Sequence, residues 1–164
     1  MNGDSVCFSR KSDEWETPQW LFDQLDAEFS FGFDAAATRE NSKCGSSYGD
    51  KAGNSLDIDW GYHSQHRAVW LNPPYSQIGK FVEKAYHEAK KNNIVVVCLI
   101  PARTDTKYWH DYVMRSYEVR LIKGRLKFGQ STNSAPFPSA IVVFTPQTNN
   151  TCARFSSFTQ GGTP

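Results

Sequence analysis

The sequence predicts a three-layer α/β fold whose sheet is mostly parallel, with an antiparallel hairpin at one edge. Two observations lead there. Residues 94–100, Ile-Val-Val-Val-Cys-Leu-Ile, are an unbroken apolar run rich in β-branched side chains, the mark of a strand buried on both faces of a parallel sheet. Around it, helical and strand periodicities alternate, and two strands then follow one another near the C-terminus.

Taken in order, residues 1–12 read as a loose arm. Thr17 is a good N-cap and Pro18 suits a first helical position. Leu21, Phe22, Leu25 and Phe29 follow at helical spacing, so a helix is expected over 18–28. Its cap hydroxyl and first-turn amides are able to meet a carboxylate. Residues 29–34 alternate as a strand does and end at Asp34, followed by Ala35, Ala36 and Ala37. An acid and small residues at a strand's carboxyl end are where an open α/β sheet receives a ligand, though an ordinary helix cap has the same pattern. Residues 39–56 read mainly as loop. A short strand-like alternation over 54–60 places Asp57 or Asp59 at the same pocket, or at a turn. His63 and His66 lack a third ligand nearby and read as solvated.

Residues 68–71 are a short apolar run. A helix is expected from Gln77 to Lys91, stopped by Asn92-Asn93, then the strand over 94–100. Thr104 or Asp105 caps a helix reaching about Arg115. Residues 118–128 read as a strand bent at Gly124, with Arg120, Lys123, Arg125 and Lys127 exposed, and 140–144 as the last strand. The expected catalytic domain is 13–146, with 147–164 a mobile tail.

Composition narrows the class. A chain of 164 residues, 39% hydrophobic, suits one domain with a real core. No apolar run approaches membrane-spanning length, and the polar N-terminus does not read as a secretory signal. Cys7, Cys44, Cys98 and Cys152 are scattered without a Cys-x-x-Cys pair, which points to a reducing cytoplasm. The net charge of +1 conceals an asymmetry: residues 1–60 hold five Lys/Arg against twelve Asp/Glu, and 61–164 hold thirteen against five. A basic second half supports a polyanionic partner reached on other grounds.

The most informative stretch is Asn72-Pro73-Pro74-Tyr75, directly after a strand. Each proline pushes the residue before it into extended backbone and offers a carbonyl but no N–H. The loop is therefore stiff, and gathers an amide, outward carbonyls and an aromatic face. That set suits methylation of an exocyclic amine, a poor nucleophile because its lone pair is delocalised into the ring. Acceptors on both N–H groups, the Asn72 side-chain oxygen and the Pro73 carbonyl, free the lone pair for attack. Tyr75 can stack on the base for about 1–3 kcal/mol, against an extrusion cost of a few kcal/mol.

The chain resembles the phage and prophage DNA N-6-adenine methyltransferases, S-adenosylmethionine-dependent enzymes of Rossmann-like fold. The resemblance rests on Asp13-Glu14-Trp15-Glu16-Thr17-Pro18, Phe33-Asp34-Ala35-Ala36-Ala37-Thr38, Trp70-Leu71-Asn72-Pro73-Pro74-Tyr75 and Ile78-Gly79-Lys80-Phe81-Val82. It continues through Ile100-Pro101-Ala102-Arg103-Thr104-Asp105-Thr106, Gly124-Arg125-Leu126-Lys127-Phe128 and Ser134-Ala135-Pro136-Phe137-Pro138-Ser139. It implies a catalytic loop of Asn72, Pro73, Pro74 and Tyr75. It implies cofactor contacts from Trp15, Thr17, Asp34, Ala35 and Ala36, with Asp59 toward the adenosyl part. The implied partner is double-stranded DNA with a flipped adenine, met by Arg103, Arg125 and Lys127, whose other reading is a solvated, pairing-resistant edge. No metal is implied, because the sulfonium methyl is already electrophilic. The same fold acting on cytosine N4, an RNA base or a protein glutamine, or an inactive nucleic-acid-binding relative, are the alternatives. Two departures stand out. The loop after Asp34 lacks the usual glycines, and the short span from Asp34 to Asn72 implies a trimmed or missing strand, leaving the ribose contact unassigned.

Overall fold

The computed structural model describes residues 15–48, 52–148 and 152–162. The expected arm at 1–12 lies outside them. Helix α1 (Gln19–Phe29) leads into strand β1 (Phe31–Asp34), and a short helix α2 (Trp60–His63) precedes β2 (Ala68–Leu71). Then come α3 (Ile78–Asn92), β3 (Val96–Pro101), α4 (Lys107–Asp111), β4 (Glu118–Ile122), β5 (Ser139–Phe144) and β6 (Arg154–Phe158). The described strands form one mixed sheet of six in the order β1-β2-β3-β5-β4-β6. β1, β2 and β3 are parallel, β5 runs against both neighbours, and β6 is parallel to β4.

Alternation along the strands divides the core in two. Phe33, Val69, Leu71, Val96, Cys98, Ile100 and Val142 face α3, meeting its buried stripe of Phe81, Val82, Ala85 and Ala89. Phe31, Trp70, Val97, Leu99, Ile141 and Val143 face α1 and its Leu21, Phe22 and Leu25. Helices therefore cover both faces, giving three layers. Every residue of β2, β3 and β5 is buried, as strands inside a covered sheet must be. α3 stops where Asn93 turns left-handed (φ 54°) and its N–H returns to the Ala89 carbonyl.

Several sequence expectations need correction. The alternation over 54–60 is not a strand: a tight 3-10 turn (Ala52–Asp57) runs into α2. Its backbone finds partners without a ladder, since the Trp60 N–H donates to buried Glu88 (3.0 Å) and the Trp60 indole to the Ser55 carbonyl (2.8 Å). β4 ends at Ile122, because Gly124 turns left-handed (φ 81°) and takes the chain off the sheet. The antiparallel pair is not at an edge: β5 lies between β3 and β4, and β6 covers β4.

The segment expected as a tail supplies that outer strand. The Phe158 ring stacks on Trp20 (6.4 Å) and the Gln24 amide bonds the Thr159 and Gly162 carbonyls, tying 154–162 to α1. Arg120, expected on the exposed side, is only 6% exposed. It grips Glu28 through two bonds of 2.6 and 2.7 Å and also meets Glu118. α4 starts after Thr106, whose hydroxyl donates to the Arg103 carbonyl (2.7 Å); neither Thr104 nor Asp105 caps it. No helix among the described residues is long and apolar enough to cross a membrane.

Candidate active site

Parallel pairing sets the site. Asp34 is in register with Trp70, and the Ala35 N–H continues the ladder to the Trp70 carbonyl (2.9 Å). Asp34 and Asn72 therefore leave the sheet side by side at its carboxyl edge. The chain entering α1 crosses the same edge, held by a bond from the Gly129 N–H to the Glu16 carbonyl (2.9 Å). Between these segments lies a cleft of about 240 Å³ lined by Trp15, Glu16, Thr17, Asp34, Ala36, Ala37, Asn41, Lys43, Trp70, Asn72, Pro73 and Pro74.

Asn72 is locked from behind. Its side-chain nitrogen donates to the Trp15 carbonyl (2.5 Å) and to the Thr17 hydroxyl (3.0 Å). A main-chain carbonyl only accepts, so the nitrogen must face Trp15 and the amide oxygen must face away. Thr17 is thus not the N-cap expected of it: Pro18 occupies that position with extended backbone (ψ 132°), and the buried Thr17 hydroxyl serves Asn72. Of the two proline carbonyls, that of Pro74 accepts from the Gln77 N–H (3.0 Å), whereas among the described residues no bond uses that of Pro73. Tyr75 is half-buried, stacked on Trp15 (6.1 Å, 19° between planes) with its ring 5.2 Å from Phe137. Phe128 completes this aromatic wall from 5.3 Å. Burial raises the Tyr75 hydroxyl well above the usual phenol range.

Asp34 is the buried charge of the cleft, 4% exposed. Burial pushes its pKa from 3.8 to about 6, against the opposing effect of backbone N–H donors from Lys43, Ala36 and Ala37 and of the Lys43 charge. The Lys43 N–H donates to it at 3.0 Å, but the Lys43 ammonium bonds Glu16 (3.2 Å) and Gln19 (3.0 Å) instead. Among the described residues no side-chain cation is bonded to Asp34.

Comparison with known proteins agrees with this arrangement of motifs. The profile of the family described as DNA N-6-adenine-methyltransferase (Dam) matches residues 4–160. The DNA N-6-adenine-methyltransferase of Haemophilus phage HP1 (strain HP1c1) is 31% identical over 150 residues, covering 85% of this chain and 83% of the relative. That of Escherichia phage T1 is 33% identical over 115 residues, 70% of this chain and 46% of the relative. The chain belongs to the DNA N-6-adenine-methyltransferase (Dam) family.

Within this Dam family member the cleft brings together Trp15, Thr17, Asp34, Ala36, Asn72, Pro73 and Pro74, with Tyr75 at its rim. Two expected cofactor residues are elsewhere. Ala35 points to the opposite side, its carbonyl accepting from the Ser55 hydroxyl, because neighbours at a strand end face opposite ways. Asp59 caps α2, accepting from the Tyr62 N–H (2.9 Å), and pairs with Lys91 (3.1 Å). Lys91 is in the last turn of α3, a helix about 20 Å long, so Asp59 lies beside the end opposite the Asn72–Tyr75 loop. Three basic candidates are exposed and in none of the described ion pairs. Arg103 is near enough to Tyr75 for its charge to act on that hydroxyl. Arg125 and Lys127 alternate with buried Leu126 and Phe128 in the β4–β5 connection, whose Phe128 packs on Trp15.

Sequence reasoning missed Lys43, Asn41, Glu16 and Trp70 as lining residues. Glu16 was legible from its place between Trp15 and Thr17; Asn41 and Lys43 sit in a polar loop with no periodicity to mark them. Among the described residues no three His, Cys, Asp or Glu side chains gather into a set able to hold a metal ion.

Proposed function

We propose that Asn72, Pro73 and Tyr75 carry methyl transfer to the N6 of adenine in DNA by this Dam family enzyme, with S-adenosylmethionine as donor in the adjoining cleft. The orientation of Asn72 is the observation that supports this most. Both its N–H donors are taken by Trp15 and Thr17, so the side-chain oxygen has no alternative but to present itself as an acceptor. It accepts one N–H of the adenine amine and the open Pro73 carbonyl accepts the other. Together they draw the nitrogen toward tetrahedral geometry and make its lone pair available. Because both acceptors are held before substrate arrives, little reorganisation is left for the transition state. Tyr75 stacks on the extruded base, with Trp15 and Phe137 holding its ring.

The cleft residues fit the donor. S-adenosylmethionine, when bound, supplies an electrophilic methyl on a cationic sulfonium beside an α-ammonium. A buried carboxylate short of cations, such as Asp34, favours a cationic guest. Trp15 and Trp70 offer apolar walls, and Ala36 and Ala37 let a ligand approach the backbone. Trp15, Thr17, Asp34 and Ala36 are therefore the proposed cofactor contacts, in a Rossmann-like methyltransferase sheet without the strand usually following the first. Arg103, Arg125 and Lys127 meet phosphates of double-stranded DNA, in the cytoplasm of a bacterial or phage-infected cell.

The test is incubation with methyl-labelled donor and unmethylated DNA, followed by nucleoside analysis. Label is expected in N6-methyldeoxyadenosine. Asn72→Ala is expected to lower turnover by about 10²–10³-fold or more while the donor still binds. Label in cytosine, or undiminished activity of Asn72→Ala, would overturn the assignment.

A further inference from the structure

The charges lining the cleft are not spread evenly. Asp34, Glu16 and Lys43 gather where the loop after β1 meets the entry to α1, whereas Ala36, Ala37, Trp70, Pro73 and Pro74 form a neutral remainder. One end of the cleft is thus suited to a zwitterion and the rest to an uncharged body. Lys43 spans this charged end. Its own N–H holds the Asp34 carboxylate at 3.0 Å, so the distance between that carboxylate and the Lys43 ammonium is limited by one side chain. The Lys43 side chain is 14% exposed, a largely desolvated cation, while its partner Glu16 is 60% exposed. An ion pair with so exposed a partner contributes little, on the order of 1 kcal/mol or less, and is readily exchanged.

We propose that Lys43 holds the α-carboxylate of the methyl donor, exchanging Glu16 for it, while Asp34 faces the α-ammonium. Resting on the reading of the cleft as the donor site, this goes further by assigning its charged end. The exchange satisfies the buried carboxylate and the half-buried ammonium at once. Asp34 gains the cation it lacks, and Lys43 trades a solvated carboxylate for one enclosed in the cleft, where a charge-assisted bond is stronger. Glu16 is released to solvent and is a competitor, not a contact.

The test compares two ligands that differ only in this carboxylate, S-adenosylmethionine and decarboxylated S-adenosylmethionine, by calorimetry. Wild type is expected to prefer the carboxylated ligand by about 10- to 100-fold, the range for one bond to a charged group. Lys43→Met should remove that preference by weakening S-adenosylmethionine alone. Equal weakening of both ligands would make Lys43 a brace of the cleft and overturn the inference, as would an unchanged preference. Glu16→Gln, at an exposed side chain, is a second readout that leaves the Lys43 side chain in place and removes only its competing carboxylate charge. It should tighten S-adenosylmethionine by about 1.5- to 5-fold and leave the decarboxylated ligand unchanged; weakening of S-adenosylmethionine alone would also overturn the assignment. If wild type binds neither ligand, the reading of the cleft as a donor site fails first, and this inference with it.

Discussion

One cavity lies at the entry to α1 and another along it, and each contains a buried carboxylate. One is the cleft at the strand ends, about 240 Å³, with Asp34; the other, between α1 and β6, is about 570 Å³ and contains Glu118. The larger contains the better-paired carboxylate. Burial by itself would raise Glu118, but hydrogen bonds from Arg120 and Ser156 and the charges of Arg120 and Arg154 outweigh it and hold the pKa below the usual range. Asp34 has backbone donors and, among the described residues, no bonded cation, and burial prevails. A carboxylate whose charge is fully answered by its own protein holds the fold together. One left short of cations is available to a guest. Volume does not distinguish these cases; the list of partners does.

Breaking the larger cavity should show in stability. Arg120→Ala strips Glu28 and Glu118 of their shared partner and is expected to cost about 3–5 kcal/mol, as the loss of one member of a buried ion pair does. Urea unfolding measures it, and donor affinity of the folded fraction should not change. A loss below about 1 kcal/mol would mean that the pair is effectively solvated.

The smaller cavity should respond to pH through binding. Since Asp34 titrates near 6 in the free protein, it is ionised above that value and protonated below. A cationic ligand requires the ionised form, so affinity should be flat above about pH 6 and fall by up to about tenfold per pH unit beneath it, with a proton released on binding. Calorimetry at pH 5 and 8 in buffers of different ionisation enthalpy tests this; a pH-independent affinity would remove Asp34 from the ligand's surroundings.

The smallest expected effect is at Thr17. Thr17→Val keeps the shape but leaves one Asn72 N–H unpaired, about 1 kcal/mol of lost hydrogen bonding. Because Thr17 orients Asn72 as well as lining the donor cleft, turnover should fall several-fold and by more than donor affinity does. An equal loss in both would mean that Thr17 acts through the donor alone and not through Asn72.

What was legible in the sequence was local. The periodicity of α1 and α3, the buried runs of β2, β3 and β5, and the stiffness of Asn72-Pro73-Pro74-Tyr75 all arise from neighbouring residues, which is why they could be read. Asp34 and Asn72 were found because strand ends are recognisable and parallel strands share one. The misread segments have competing local patterns. Residues 54–60 alternate like a strand but pair with no strand among the described residues. Residues 154–158 look like a polar tail, yet β4 offers them an open ladder and α1 a place for Phe158.

By itself, then, the sequence determined which residue types stand at the strand ends and the chemistry they are fitted to. Tertiary structure decided how their free valences are spent. The Thr17 hydroxyl goes to Asn72 instead of to a helix end, Asp59 to Lys91 instead of a ligand, and Arg120 to Glu28 instead of solvent. Lys43 enters the cleft from a loop with no pattern of its own. Hydrogen-bond and ion-pair partners are chosen by distance in space, across separations such as the 92 residues from Glu28 to Arg120, and a one-dimensional pattern does not contain that distance.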